Sequence, residues 1–443
     1  MKKKCSEKLP ETYDVDVLVV GGGPAGVGAA FSAARNGMKT LVIEQFNCLG
    51  GVATAGGHGH LCIHSAWNSR TRTVGGIPFE MAQRVVKAGY GAMDPTYVDF
   101  EVEGMKLILE QMAEECNCKI LYHTFFCSTV VEKGKAVGAI IQNKTGRQIV
   151  RAKMIIDCTG DGDVAASAGC KFYYGDEDSG LCQPVTLMFT IGGVDWDRVK
   201  KWRSDWRMAH IWKKAQENGD MRPFQYHIMG WWWTPTRPDQ VGINFTHMNF
   251  IDSTKAEDLT KATLEGRKQA YETIDVYRKY VPGMENCYMV STPNTVGLRE
   301  SRRILGEYYL TKNDVVGQKN FKDSIGYGSF FIDIHNTKGP GMDTKEWRPD
   351  PGFKYQIPYR IIVPLKVDNL FVTGRCASCD HEALGSLRQM MQCGVMGEAA
   401  GTAAAMCIRK KCVPRELPVK ELQVKLRKAG AIIDETGIKK VNA

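Results

Sequence analysis

Residues 14–44 read DVDVLVVGGGPAGVGAAFSAARNGMKTLVIE. The mostly apolar run from Asp16 to Val20 ends in Gly21-Gly22-Gly23-Pro24-Ala25-Gly26. An alanine-rich stretch then runs to Arg35, Asn36-Gly37 stops it, and a second β-type run reaches Glu44. Strand, tight turn, helix, glycine stop and strand make one βαβ unit, which predicts a parallel sheet with covered faces. In the Gly21-x-Gly23-x-x-Gly26 turn, backbone bare of side chains lets amides approach a pyrophosphate, and the helix after it turns its positive end on the same charge. Glu44, closing the second strand, is placed to accept hydrogen bonds from ribose hydroxyls. Glycine also serves a tight strand-to-helix turn on steric grounds alone. The strand context together with Glu44 is what points to a dinucleotide.

The segment beyond Glu44 bears on which dinucleotide it is. A nicotinamide-binding domain continues with further αβ units, whereas here residues 48–57 read CLGGVATAGG, a segment so poor in bulk that it can run beneath a large planar ring. From Cys118 to Asp157, β-rich runs are separated by the polar turns Lys133-Gly134-Lys135 and Asn143-Lys144-Thr145-Gly146, the pattern of a small antiparallel meander leading into another strand. A second strand-to-helix module lies far away, with Asn369 to Thr373 reaching Gly374 and a small-residue helix expected over Gly394 to Met406. Between them, over about 171–345, the βαβ rhythm is lost, and eight of the nine tryptophans (196, 202, 206, 212, 231, 232, 233 and 347) fall in or just past this region. The fold class expected is α/β: a Rossmann-like FAD-binding domain, with a parallel sheet plus a small antiparallel meander, carrying an inserted α+β substrate domain. The corresponding boundaries are 12–170 with 350–412 for the FAD-binding domain, 171–349 for the substrate or cap domain, and 413–443 for a basic helical tail.

Five ordered motifs, GGGPAGVGAAFSAARNG, CLGGVATAG, DCTGDGDVAASAG, RESRRILGEYYLT and NLFVTGRCASCDHEALGSLRQ, span most of the chain. In them it resembles the FAD-dependent oxidoreductases of the glutathione-reductase superfamily, in the branch near the fumarate reductase and succinate dehydrogenase flavoproteins. The resemblance implies that Gly21, Gly23, Ala25 and Gly26 hold the pyrophosphate and Glu44 the adenosine ribose. It also implies that Gly50, Gly51, Ala53 and Thr54 line the flavin, that Phe126 flanks the adenine, and that Thr159, Gly160 and Asp161 close over the nucleotide. Gly374, Arg375 and Ser386 would contact the flavin end. Disulfide reductases of this superfamily keep two cysteines four residues apart beside the flavin, but here Cys48 is followed by none until Cys62, so no such relay is expected. The one CxxC, Cys376 and Cys379, has His381 and Cys393 nearby, yet among fifteen cysteines such proximity arises easily, and no metal is expected. His58 and His60 come after the glycine-rich segment, where some fumarate-type relatives attach flavin covalently. The neighbouring residues differ, and non-covalent binding is expected.

Hydride transfer at a flavin needs a group to move a proton and a group to hold the substrate. His381, just past the second strand module, is the candidate for the first, and Arg299 and Arg388 are candidates for a carboxylate clamp. The rival roles are a structural histidine and arginines paired with Glu300 or Glu307. The function expected is a dehydrogenase or reductase moving a hydride between flavin N5 and a small polar substrate, a carboxylate or, through tryptophan stacking, a sugar derivative. The alternative is an electron-transfer flavoprotein working with a protein partner. Composition narrows the classes further. Of the formal charge of +9, +6 falls from Arg409 onward, where ten basic residues face four acidic ones, so no basic cleft for nucleic acid is expected. No stretch approaches the roughly 18 apolar residues of a membrane span. The start, MKKKCSEKLPETYDVDV, lacks an apolar core segment, and the cytoplasm is the expected compartment.

Overall fold

The computed structural model describes residues 9–205 and 207–440, without the side chains of Lys439 and Lys440. Trp206 and the first eight residues of the N-terminal segment lie outside the described residues.

The central sheet is built as the first βαβ unit dictates. Strand Glu11–Val20 pairs in parallel with Thr40–Ile43 on one side and Gly146–Asp157 on the other, and Lys119–Leu121 and Leu370–Val372 extend the parallel part at its two edges. Strand Gly146–Asp157 joins the parallel and antiparallel parts of this one seven-stranded sheet. Its last residues pair in parallel with Leu370–Val372, and its first half pairs antiparallel with Lys135–Asn143, which in turn pairs with Phe125–Glu132. This is the meander, and its tight turn is made by Lys133 and Gly134, both with positive φ.

Helix Pro24–Arg35 is buried along nearly its whole length, because helix Met390–Lys410 from the other end of the chain lies directly on it. The approach is close enough to exclude side chains. A Cβ on Gly28 would lie 2.4 Å from the Gly394 carbonyl oxygen, one on Gly397 would lie 1.9 Å from that of Ala25, and one on Gly401 would lie 2.1 Å from that of Ala29. The small-residue stretch of the sequence is thus the contact that joins the two halves of the cofactor domain.

The insert forms its own core. A four-stranded antiparallel sheet, in the order Gly230–Thr234, Arg237–Asn244, Phe189–Gly192, Tyr288–Ser291, packs with helix Ala256–Tyr280 around Trp212, Phe245 and Tyr277. That core draws on residues between 189 and 287, whereas Leu310, Phe321, Ile325, Ile332 and Ile334 pack into the main core of the cofactor domain. Residues 302–334 therefore lie structurally with the cofactor domain rather than with the insert. The basic tail is also more deeply seated than a solvated helix. Helix Val419–Lys428 buries Leu422 and Leu426 against the main core, and Lys439–Lys440 pairs as a strand with Thr71–Arg72. Among the described residues no helix is long and apolar enough to cross a membrane.

Candidate active site

Strands Glu11–Val20, Thr40–Ile43, Gly146–Asp157 and Leu370–Val372 run in the same direction, and residues just past their carboxyl ends, Gly21, Glu44, Thr159 and Gly374, line one cavity of about 400 Å³. This is the crevice in which open α/β sheets bind ligands. The three motif glycines do different work. Gly21 has φ +96°, and a Cβ there would lie 2.5 Å from the Cys158 carbonyl oxygen. Gly26 touches Gly21 so closely that a Cβ would fall 1.9 Å from its oxygen, so it serves the contact of helix and strand. Gly23 caps the helix with an ordinary φ of −65° and lines the cavity, and a Cβ there would meet no heavy atom nearer than Gly51 Cα at 3.9 Å. Protein packing does not require glycine at that position. A ligand brought against the helix N-terminus does.

Glu44 accepts hydrogen bonds from the amides of Gly22 at 2.7 Å and Phe46 at 3.0 Å, which aim its carboxylate along the cavity wall. Burial pushes this carboxyl up, against the pull of those amides. Phe126, Thr159, Gly160, Asp161 and Arg375 complete that wall, with Asp161 fixed by Arg375 at 2.8 Å and by Ser301 at 2.6 Å.

A second cavity of about 390 Å³ abuts the first: Val52, Leu298, Arg375, Arg388 and Met390 line both. Its chemistry is cationic. Arg207, Arg299, Arg348, Arg375 and Arg388 line it, Arg375 paired with Asp161 and Arg348 with Glu346, and Asp333 is the one lining carboxylate among the described residues. Arg299 is 6% exposed and donates to the Pro184 carbonyl and to Thr186 Oγ1, each at 2.7 Å. Burial and the neighbouring Arg388 pull it down to about 9, so it remains charged at neutral pH. Arg388 donates to Asp333 Oδ2 at 2.8 Å, while its Nε, like Nδ1 of His335, is buried without a hydrogen-bond partner among the described residues. Burial would raise Asp333, but His335 and Arg388 hold it below the usual carboxylate range. Burial pulls His58 down to about 3 and His335 to about 4, with nearby positive charge adding to each, so both rings are neutral at pH 7.

A model of the FAD dependent oxidoreductase family matches residues 16–426. The chain belongs to that family. Its cofactor is FAD, and it is an enzyme of the oxidoreductase class. Over 192 residues it is 30% identical to a thiamine thiazole synthase of Methanococcus aeolicus, covering 41% of this chain and 67% of that protein. Over 196 residues it is 28% identical to a digeranylgeranylglycerophospholipid reductase of Methanosarcina acetivorans, covering 41% of this chain and 46% of that protein. A solved structure from Thermoplasma acidophilum, described as geranylgeranyl bacteriochlorophyll reductase-like, covers 94% of this chain and 83% of its own at 16% identity, with a TM-score of 0.49.

The residues expected around FAD divide in the structure. Gly21, Gly23, Ala25, Glu44, Gly51, Phe126, Thr159, Gly160, Asp161, Gly374 and Arg375 line the first cavity. Gly50, Ala53 and Thr54 stand behind Gly51, with Thr54 Oγ1 donating to the Leu49 carbonyl at 2.5 Å, and Ser386 donates to the Phe330 carbonyl at 2.6 Å. These four, like Gly26, shape the backbone around the cavity without facing it. Arg299 and Arg388 come together in the second cavity.

His381 does not join them. Expected to project over the open ring face, it lines neither cavity: its ring is almost wholly enclosed, with Nδ1 2.9 Å from Glu300, which also pairs with Arg303. The reason is the short helix His381–Leu387, whose first residue turns inward on this buried network and leaves Arg388, past its end, to reach the cavity. Cys376 and Cys379 are fully buried, and burial pushes both thiols far up. Of the insert's tryptophans, Trp231 and Trp232 wall the second cavity, whereas Trp212 is core.

Asp333, His335, Arg207 and Arg348 do not stand out in the sequence. Each sits in an irregular segment with no motif around it. Asp99, which holds His60, is equally silent, although the alternation His58, His60, Cys62 leading into strand His60–Cys62 is a visible signal.

Proposed function

We propose that this FAD-dependent oxidoreductase moves a hydride between flavin N5 and a small carboxylate-bearing molecule held in the arginine-lined cavity. The observation that carries this reading is the meeting of Arg299, which has no carboxylate partner among the described residues, with Arg388 in a space that shares Arg388 and Arg375 with the cofactor cavity, where Asp333 is the one lining carboxylate among the described residues. FAD, when bound, supplies the acceptor and donor of hydride. In this reading Gly23 and the helix N-terminus hold its pyrophosphate, Glu44 its ribose hydroxyls, and Phe126 lies beside the adenine.

The chain's own part is to bind, orient and exclude water. Arg388, whose guanidinium lines the cavity beside Asp333, is where a carboxylate would gain a charge-assisted hydrogen bond, and Arg299, locked by Pro184 and Thr186, adds fixed positive charge. Trp231, Trp232 and Trp67 close the cavity with apolar surface, which strengthens those charges. His381 acts in this reading through Glu300, positioning the segment 299–303 that carries Arg299. A carboxylate substrate also accords with the motif likeness to the fumarate reductase branch. A protein partner in place of a substrate gains no support from the tail, whose helix is packed on the core.

The test is to titrate holoenzyme with carboxylic acids and their amides, following the absorbance of bound flavin and its anaerobic bleaching. Acids are expected to perturb the spectrum and amides not. Arg388→Ala should weaken the acids by about 10–150-fold, the loss of a charged hydrogen bond worth about 1.5–3 kcal/mol. Equal response to acids and amides would overturn the reading.

A further inference from the structure

Three side chains at the edge of the arginine cavity remain unused. His60 and Cys62 are two apart on strand His60–Cys62 and so project from one face of it. The register places Asp99, on strand Tyr97–Phe100, directly opposite His60. His60 Nδ1 donates to Asp99 Oδ1 at 2.5 Å, and both His60 and Cys62 line the cavity. Leu61, between them, points the other way into the core.

We propose that Cys62, His60 and Asp99 form a thiol–imidazole–carboxylate relay in which Cys62 is a nucleophile toward the carbonyl carbon of an anionic aldehyde or 2-oxo acid. The proposal rests on the reading of this cavity as the substrate cavity. A carboxylate on Nδ1 fixes the ring and stabilises its charged form, and in the proposed relay that charge, on the strand face and cavity wall that Cys62 shares, favours attack by sulfur as the thiolate. The charge on His60 accords with this: burial pulls the ring down, but Cys62 and Asp99 outweigh it and raise it to about 10. His58, 6.1 Å away between ring centres, is neutral and does not compete for the proton. In the step itself the sulfur bonds the carbonyl carbon and the C=O π pair moves to oxygen. That oxygen takes the proton from the His60 imidazolium, giving a hemithioacetal. No oxidant enters, and the reverse step restores thiolate and imidazolium. The arginines supply what a thiol alone lacks, a grip on the substrate's carboxylate.

The experiment uses the FAD-loaded full chain and measures, by peptide mass spectrometry, the rate at which iodoacetamide modifies each cysteine at pH 6.5. Cys127, which is exposed, is the internal control. Cys62 is expected to react at least about tenfold faster than Cys127, and His60→Gln to remove that advantage, with Asp99→Asn removing part of it. FAD content of each variant reports that it is folded. Glyoxylate is expected to protect Cys62, and acetate at the same concentration not. A Cys62 that reacts no faster than Cys127, an advantage that survives His60→Gln, or equal protection by glyoxylate and acetate would overturn the proposal. The shift of the flavin spectrum by simple carboxylates, read in the same samples, reports the anion cavity separately, so a failed thiol relay is distinguished from a failed cavity reading.

Discussion

Alanine at Gly23 and alanine at Gly21 should separate cofactor binding from folding. At Gly23 the backbone has φ −65°, open to any residue, and an added Cβ meets nothing nearer than 3.9 Å. Gly23→Ala should therefore change the stability of the apoprotein by less than about 1 kcal/mol, the smaller entropy of its unfolded chain helping to offset any cost. The same methyl stands in the cavity at the helix N-terminus. Displacing a pyrophosphate oxygen there forfeits at least one charge-assisted hydrogen bond, about 1.5–3 kcal/mol, or about 10–150-fold in Kd. At Gly21 the positive φ and the 2.5 Å approach to the Cys158 carbonyl put the burden on the fold itself. Backbone strain and overpacking together cost about 2–6 kcal/mol there. Urea unfolding of the apoproteins and FAD titration followed by fluorescence quenching measure the two effects. Gly23→Ala should unfold with the parent yet bind FAD weakly, and Gly21→Ala should unfold early. Native FAD affinity in Gly23→Ala would refute the placement of the pyrophosphate, and early unfolding of that variant would refute the claim that the position is open.

Other expectations come from the same geometry. Glu44→Lys removes the acceptor for two amides and reverses the charge on the cavity wall, so the purified variant should lack the yellow absorbance of FAD; full occupancy would count against the ribose role. Glu398, buried on helix Met390–Lys410, accepts from the Ile77 amide at 2.9 Å, and burial pushes it from 4.5 up to about 8. The folded chain thus keeps a proton that the unfolded chain has released, and stability falls as pH rises from about 4.5 to about 8. Glu398→Gln should flatten that slope and add about 2–4 kcal/mol at pH 9, read by urea unfolding at pH 5 and 9; a slope identical to the parent's would exclude Glu398 as its source. His381→Ala, which breaks the pair with Glu300, should cost about 2–4 kcal/mol of stability and leave FAD affinity unchanged. Unaltered stability with flavin reduction slowed a hundredfold or more would instead return His381 to the role of acid or base.

The cofactor half of the molecule was legible in the sequence because local rules and function there coincide. A βαβ unit dictates its turn, the turn needs glycine, and the crevice beyond the strand ends is where a dinucleotide must lie. The small-residue run from Gly394 was legible as a packed helix, though not that its partner would be helix Pro24–Arg35, since close approach between distant segments leaves no mark of spacing. Gly21, Gly23 and Gly26 look equivalent in the motif. Only the fold shows that Gly26 answers to the strand, Gly21 to a positive φ and Gly23 to the cavity. The second cavity was beyond local reading. Arg299 and Arg388 stood out as arginines, but Asp333, His335, Arg207 and Arg348 lie in segments with neither periodicity nor motif and meet only through the packing of the insert. His381 shows the limit most plainly. Its place in the chain put it near the flavin, but one inward turn at a helix start carried its ring to Glu300 and left Arg388, seven residues on, facing the site. Chain position sets which backbone passes the cavity, and side-chain direction, set by tertiary packing, decides which residues face it.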